Sequence, residues 1–265
     1  SFPTRRSSDL SGFGTRWDNV GAMRNRGVEI NVSADVLRIK DFTWNVNANV
    51  SYNKNEITEL YNGITEYVAS DTGRMVAVGH PLGEFYLNRY AGVNPTNGDA
   101  LWYTKDGEIT TEYNENDKVM LGKTHEAPWQ GGFGTTLSWQ GFSLSAQFTW
   151  VADRWMLNND RVFQESNGLF SAYNQSKRML YDRWKKPGDV TDIPRYGVTP
   201  QLDSRFLEDA SFLRLKNLML SYTFPQKWLQ RTNFLSSARI YAQGQNLLTF
   251  TSFTGMDPES TSNEI

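Results

Sequence analysis

Few residues in this chain could do covalent or metal chemistry. His80 and His125 are its only imidazoles and sit far apart in one long polar stretch. A metal site needs three or four converging ligands, so no metal site is expected. The run Asn94–Pro95–Thr96–Asn97–Gly98–Asp99 has calcium-loop composition. It lacks the alternating carboxylates and closing Glu of such a loop, and Asn, Pro and Gly together build a β-turn. Asp106, Glu108, Glu112 and Glu115 are carboxylates without a rigid frame. A glycosidase needs two at a fixed separation, so solvated loop charge is expected. There is no G-x-S-x-G elbow and no Cys, which removes the serine-hydrolase elbow, thiol nucleophiles and disulfides. No catalytic residue and no cofactor are expected, and the chain reads as a non-enzyme. What remains are flat rings: Trp102, Tyr103, Trp129 and Trp155 fall in or beside the long loops. Such rings suit the apolar faces of sugars or peptide side chains, and these four are the candidate substrate-binding residues. Loop packing or a membrane-interface girdle would use the same residue types.

The elements that position these residues are strands. Phe42, Trp44, Val46, Ala48, Val50 and Tyr52 alternate with Thr43, Asn45, Asn47, Asn49, Ser51 and Asn53. A side-chain period of two gives one apolar and one polar face, with aromatics at both ends of the apolar one. Val28, Ile30, Val32, Ala34 and Val36 alternate with Glu29, Asn31, Ser33 and Asp35. Acidic groups there disfavour a protein core behind that face; a water-filled lumen accepts them. Arg38 to Asp41 make a tight turn between the two segments. Phe133, Thr135, Leu137 and Trp139 form a third strand, and Phe142, Leu144, Ala146, Phe148 and Trp150 a fourth, joined at Gln140–Gly141. The fifth, near Ala210 to Phe224, slips phase: Leu213 and Leu215 oppose Leu218, Leu220 and Tyr222. A bulge or a rise above a membrane rim would explain the slip. The sixth runs from about Ser237 to Leu248.

Connection lengths alternate. Residues 38–41, 140–141 and 225–235 are short; 57–130 and 154–208 are long, and a further polar stretch begins near Phe250. This is the arrangement of an outer-membrane barrel, with short periplasmic turns and long external loops. A helix is expected within Tyr173–Lys186, packing either on a partner or over its own Leu180 and Trp184. Six strands cannot close such a barrel, since known examples begin at about eight, and an open sheet in lipid leaves unpaired edges. The chain is therefore expected to be a fragment, with residues 11–265 a partial barrel truncated at both ends. Ser1–Leu10 fits no strand pattern and resembles adapter-derived translations at the ends of metagenomic reading frames. It is expected to be a non-native or unstructured leader, or else an ordinary loop.

Composition agrees. Mean hydropathy is -0.57 and no apolar run reaches the roughly 18 residues of a membrane helix, but barrels give low averages because only alternate residues meet lipid. Aromatics make up 14% of the chain, as girdles at two interfaces require. The formal charge of -2 gives no reason to expect nucleic-acid binding.

Several segments resemble the C-terminal half of SusC/RagA-like TonB-dependent transporters. They are NVGAMRNRGVEI, GHPLGEFYLNRYAGVNPTNGDALWY, LGKTHEAPWQGGFGTTLSWQGFSLSAQFTW, YDRWKKPGD, FLRLKNLMLSYTFPQKWLQ, ARIYAQGQNLLTFT and GMDPE, in order over most of residues 19–259. The resemblance implies an all-β fold: an antiparallel transmembrane barrel of about 22 strands, of which this chain would supply about six, with long external loops. It also implies a Gram-negative outer-membrane location and import of oligosaccharides or peptides. A SusD-like surface lipoprotein would cap the barrel, and the TonB complex would act through an N-terminal region not seen here. Two other functions compete: a soluble carbohydrate-binding or adhesive β-domain, and a glycan-cleaving enzyme. The barrel requires Val28, Val32, Trp44, Val46 and Phe148 to face outward on one apolar band; a soluble sandwich buries the same residues under a second sheet.

Overall fold

Alternation over 28–53 and 133–150 becomes six long antiparallel strands in the computed structural model, which describes residues 3–6, 16–19, 21–69, 73–170, 172–230 and 234–260. They are β1 Gly21–Ile39, β2 Phe42–Leu60, β3 Trp129–Trp139, β4 Phe142–Ala152, β5 Phe212–Thr223 and β6 Arg239–Thr251. Each pairs with its neighbour in sequence, so the sheet is a six-stranded meander. Among the described residues, β1 and β6 are its two open edges.

The register stacks like residues across the sheet. One row reads Val32, Ala48, Phe133, Phe148, Leu215 and Leu248. The row at the short-turn end reads Ile39, Phe42, Trp139, Phe142, Tyr222 and Ile240. At the other end Val28, Tyr52 and Trp129 stand side by side, with Trp150 and Phe250 one step below. Ten residues separate Phe42 from Tyr52. At about 3.4 Å per residue and a tilt near 40° that spans roughly 26 Å of height, the thickness of a barrel's apolar band.

The phase slip in β5 is a bulge. Gln147 pairs with Asn217 and Phe148 with Leu215, leaving Lys216 as the extra residue. Leu213 and Leu215 thereby return to the face of Leu218 and Leu220. A second bulge falls between Asp35 and Leu37, so Leu37, rather than Val36, pairs with Trp44. The strands overrun the sequence-based limits at the loop end, where β2 continues to Leu60 and β6 to Thr251. The first turn shrinks to Lys40–Asp41, with Lys40 at φ 47°. Gly131 serves close packing: a Cβ there would run into the Asn49 carbonyl and the Trp150 ring. The Trp150 ring thus lies across the neighbouring strand.

The two long connections are folded. The first forms a four-stranded sheet (Glu66–Ala69, Arg74–Ala77, Glu84–Leu87, Val119–Thr124) and a three-stranded one (Arg89–Val93, Ala100–Tyr103, Ile109–Thr110). The second contributes Trp155–Leu157 paired with Leu207–Asp209. Together they bury Phe85, Leu87, Leu157, Phe206 and Leu207. A smaller cluster of Ile57, Leu60 and Val76 fastens the first connection to the top of β2. The helix expected over Tyr173–Lys186 is limited to Lys177–Tyr181, where the Ser176 side chain caps the Arg178 N–H. Beyond it a parallel bridge between Arg183 and Ile193 takes over the backbone. Within the expected leader, Pro3–Arg6 pairs with Arg16–Asn19; residues 1, 2 and 7–15 lie outside the described residues.

Candidate functional site: the strand band and the external cap

The sheet has two unlike faces. One carries the apolar rows. Val28 is 63% exposed, Val32 57% and Trp44 37%, while Val46 and Phe148 are half-buried by their neighbours in the sheet. Both buried apolar clusters among the described residues lie in or beside the long connections. Among the described residues, no second sheet covers these rows. An exposed apolar surface of this extent has lipid as its natural solvent.

The opposite face is concave and polar. An open hollow of about 850 Å³ there is lined by Asn31, Asn47, Asn49, Gln130, Gln147 and Thr149, by Glu29 and Lys216, and by parts of the alternating apolar positions such as Val50 and Phe133. Amide side chains both donate and accept, so the surface suits partners rich in hydroxyl or peptide groups.

The comparisons agree with this geometry. A chain of the RagAB peptide transporter superposes with a TM-score of 0.89 at 38% identity, over 96% of this chain and 29% of that one. The RagAB importer in its open-open state gives 0.86 at 37% identity. Over nearly its whole length the chain is similar to SusC/RagA-like TonB-dependent receptors. TonB-dependent receptor P3 of Formosa agariphila is 29% identical over 95% of this chain, and SusC of Bacteroides thetaiotaomicron 26% over 91%. The chain spans 27% and 24% of those two proteins' own lengths. No family model matches it.

The four loop aromatics do not converge. Trp102 is buried, and its indole N–H donates to Asp203 at 2.8 Å. Tyr103 is half-buried with the Arg89 guanidinium over its ring at 5.3 Å. Trp155 packs against the cap core, with Lys123 Nζ 3.4 Å above its ring. Trp129 lies on the outward face, 4.5 Å from the Tyr52 ring, as part of the upper aromatic row. Of the histidines, His80 contacts Glu84 at 2.9 Å and His125 Nε2 accepts from Arg154 at 3.2 Å. Asp106, Glu108, Glu112 and Glu115 are all exposed, and Glu115 pairs with Lys118. Asn94–Gly98 is a turn, closed by the Gly98 N–H donating to the Asn94 carbonyl at 2.8 Å.

Two polar networks escaped sequence reasoning. In the cap, Glu165, almost wholly buried, is held by Arg161 and Arg178, and Arg178 also grips Asp192 with both carboxylate oxygens. Arg161 donates to Glu208 at 2.7 Å, and Glu208 receives the Thr254 N–H at 2.8 Å. Burial alone would raise the Glu208 carboxyl; the hydrogen bonds from Arg161 and Thr254 outweigh it and hold it below the usual range. On the concave face Arg214, 7% exposed, donates to Thr249, Asp257 and Glu259. Its hydrogen bond also keeps the Asp257 carboxyl below its ordinary value. The stretch after β6 is thereby drawn inward over the rim. The available signal was a pair of cations, Arg214 and Lys216, among the leucines of one strand, with the acids of GMDPE downstream.

Proposed function

We propose that this chain forms wall and external loops of an outer-membrane importer driven by TonB, taking up peptides or glycans together with a SusD-like surface lipoprotein. The observation that carries the reading is the exposed apolar band, bracketed by aromatic rows, with both long connections gathered at one end. Such a protein binds cargo at its outer face and moves it through a lumen without covalent change. The amide-rich concave wall supports passage of hydrogen-bonding polymers. The RagAB likeness makes peptides the first class to test.

The test uses the intact receptor and its lipoprotein in a host deleted for both. Uptake of labelled oligopeptides or oligosaccharides, recovered unmodified and abolished without TonB, is the expected result. A receptor that purifies as a stable monomer without detergent would sink the membrane reading, because its band would then have no solvent.

A further inference from the structure

We propose that Arg26 and Lys54 form a binding site for the phosphate of an outer-leaflet lipid headgroup. The two residues are direct cross-strand partners on β1 and β2. They sit one outward-facing position beyond Val28, Tyr52 and Trp129, toward the external cap. Side chains two residues apart share a face, so both point away from the barrel axis. Two residues of strand is roughly 7 Å of chain, which lifts them from the aromatic row to headgroup level. Both are exposed, and neither has a charged partner among the described residues.

Like charges directly opposite one another are unfavourable in a sheet, so the pair calls for an anion. The nearest acid on that face, Glu56, is already engaged by Arg24 at 3.1 Å. That leaves three cations and one carboxylate at the upper edge of the lipid-facing band. A phosphate between a guanidinium and an ammonium would relieve the repulsion and gain charge-assisted hydrogen bonds. Continuity with the apolar rows selects a lipid as its carrier: acyl chains lie along Val28, Ile30 and Val32 while the headgroup meets the cations. The inference rests on the outer-membrane reading above.

The test titrates the intact receptor, in a phosphate-free maltoside, with phosphorylated lipid A, with lipid A stripped of its phosphates, and with inorganic phosphate. The expected result is a preference for the phosphorylated lipid that weakens roughly tenfold or more in R26Q/K54Q and by less in each single variant. Stripped lipid should bind both proteins equally weakly. Because the pair repels, the double variant should keep the heat-modifiable gel mobility of a folded barrel. Equal affinities for wild type and variant would overturn the proposal. So would inorganic phosphate binding as tightly as the lipid, or a double variant that fails to fold. A receptor soluble without maltoside would fail before any lipid is added, and would overturn the membrane reading with it.

Discussion

The indole N–H of Trp102 donates to Asp203 Oδ2 at 2.8 Å, joining the two long connections inside the cap. Asp203 is 1% exposed and also accepts the Arg205 backbone N–H at 2.9 Å. Burial pushes its carboxyl up, while Trp102 and Arg205 pull the other way. Trp102→Phe keeps most of the packing and removes the donor. It should weaken the cap by about 1–3 kcal/mol, the cost of leaving a buried acceptor short of a partner. An acid whose folded pKa is raised favours the fold below its unfolded pKa and loses that contribution as pH rises through the folded value. The Trp102→Phe penalty should therefore be larger at pH 8 than near pH 4. Amide exchange of Ala100–Tyr103 measured at both pH values checks the sign.

Glu208 titrates in the opposite sense. Its carboxyl is lowered, so its contribution is present above the ordinary glutamate value of 4.5 and lost as pH falls through the lower folded value. The Thr254 amide, which donates to Glu208, should be protected from exchange at pH 7 and lose protection on acidification below about 4.5. In Glu208→Gln that amide should exchange faster at pH 7 and show little further change down to pH 4. Unchanged protection in the variant would mean the carboxylate does not hold the stretch after β6.

Gly98 and Trp184 set a steric test. Gly98 has φ +78°, and a Cβ there would overlap the Trp184 ring. The Trp184 indole N–H donates to the Pro95 carbonyl at 3.2 Å and so docks the second connection on the first. Gly98→Ala meets both backbone strain and ring overlap, and should cost about 1–3 kcal/mol of local stability. Tryptic cleavage at Lys185–Lys186 should accelerate, while the heat-modifiable mobility of the barrel stays as in the parent.

Ala146 and Ser145 are neighbours on opposite faces of β4. Ala146 stands in the apolar rows, and Ser145 lies 3.4 Å from the Thr136 hydroxyl on the concave face. Ala146→Arg should cost about 2–4 kcal/mol in bilayer folding titrations, whereas Ser145→Arg should cost far less because its side enters water. Equal costs would mean that the two faces meet the same solvent.

The sequence by itself determined the strands, their faces and the sorting of their loops. A strand in lipid must alternate, and 42–53 does so without a break. Aromatics at both ends of that segment marked the height of the band before any pairing was known. The resemblance of segments such as LGKTHEAPWQGGFGTTLSWQGFSLSAQFTW added the family. Tertiary structure decided what depends on partners distant in the chain. The β5 slip left two explanations open, and pairing with β4 placed the extra residue at Lys216. Trp102 and Trp129 look alike in sequence. One is buried against Asp203, a hundred residues away, and the other joins Tyr52 on the outer surface. Loop residues carry no periodicity to say which way they face, so only the co-folding of the two connections could tell these rings apart. The same holds for Arg26 and Lys54. Each is an ordinary surface cation in the sequence, and the β1–β2 register is what makes them one site.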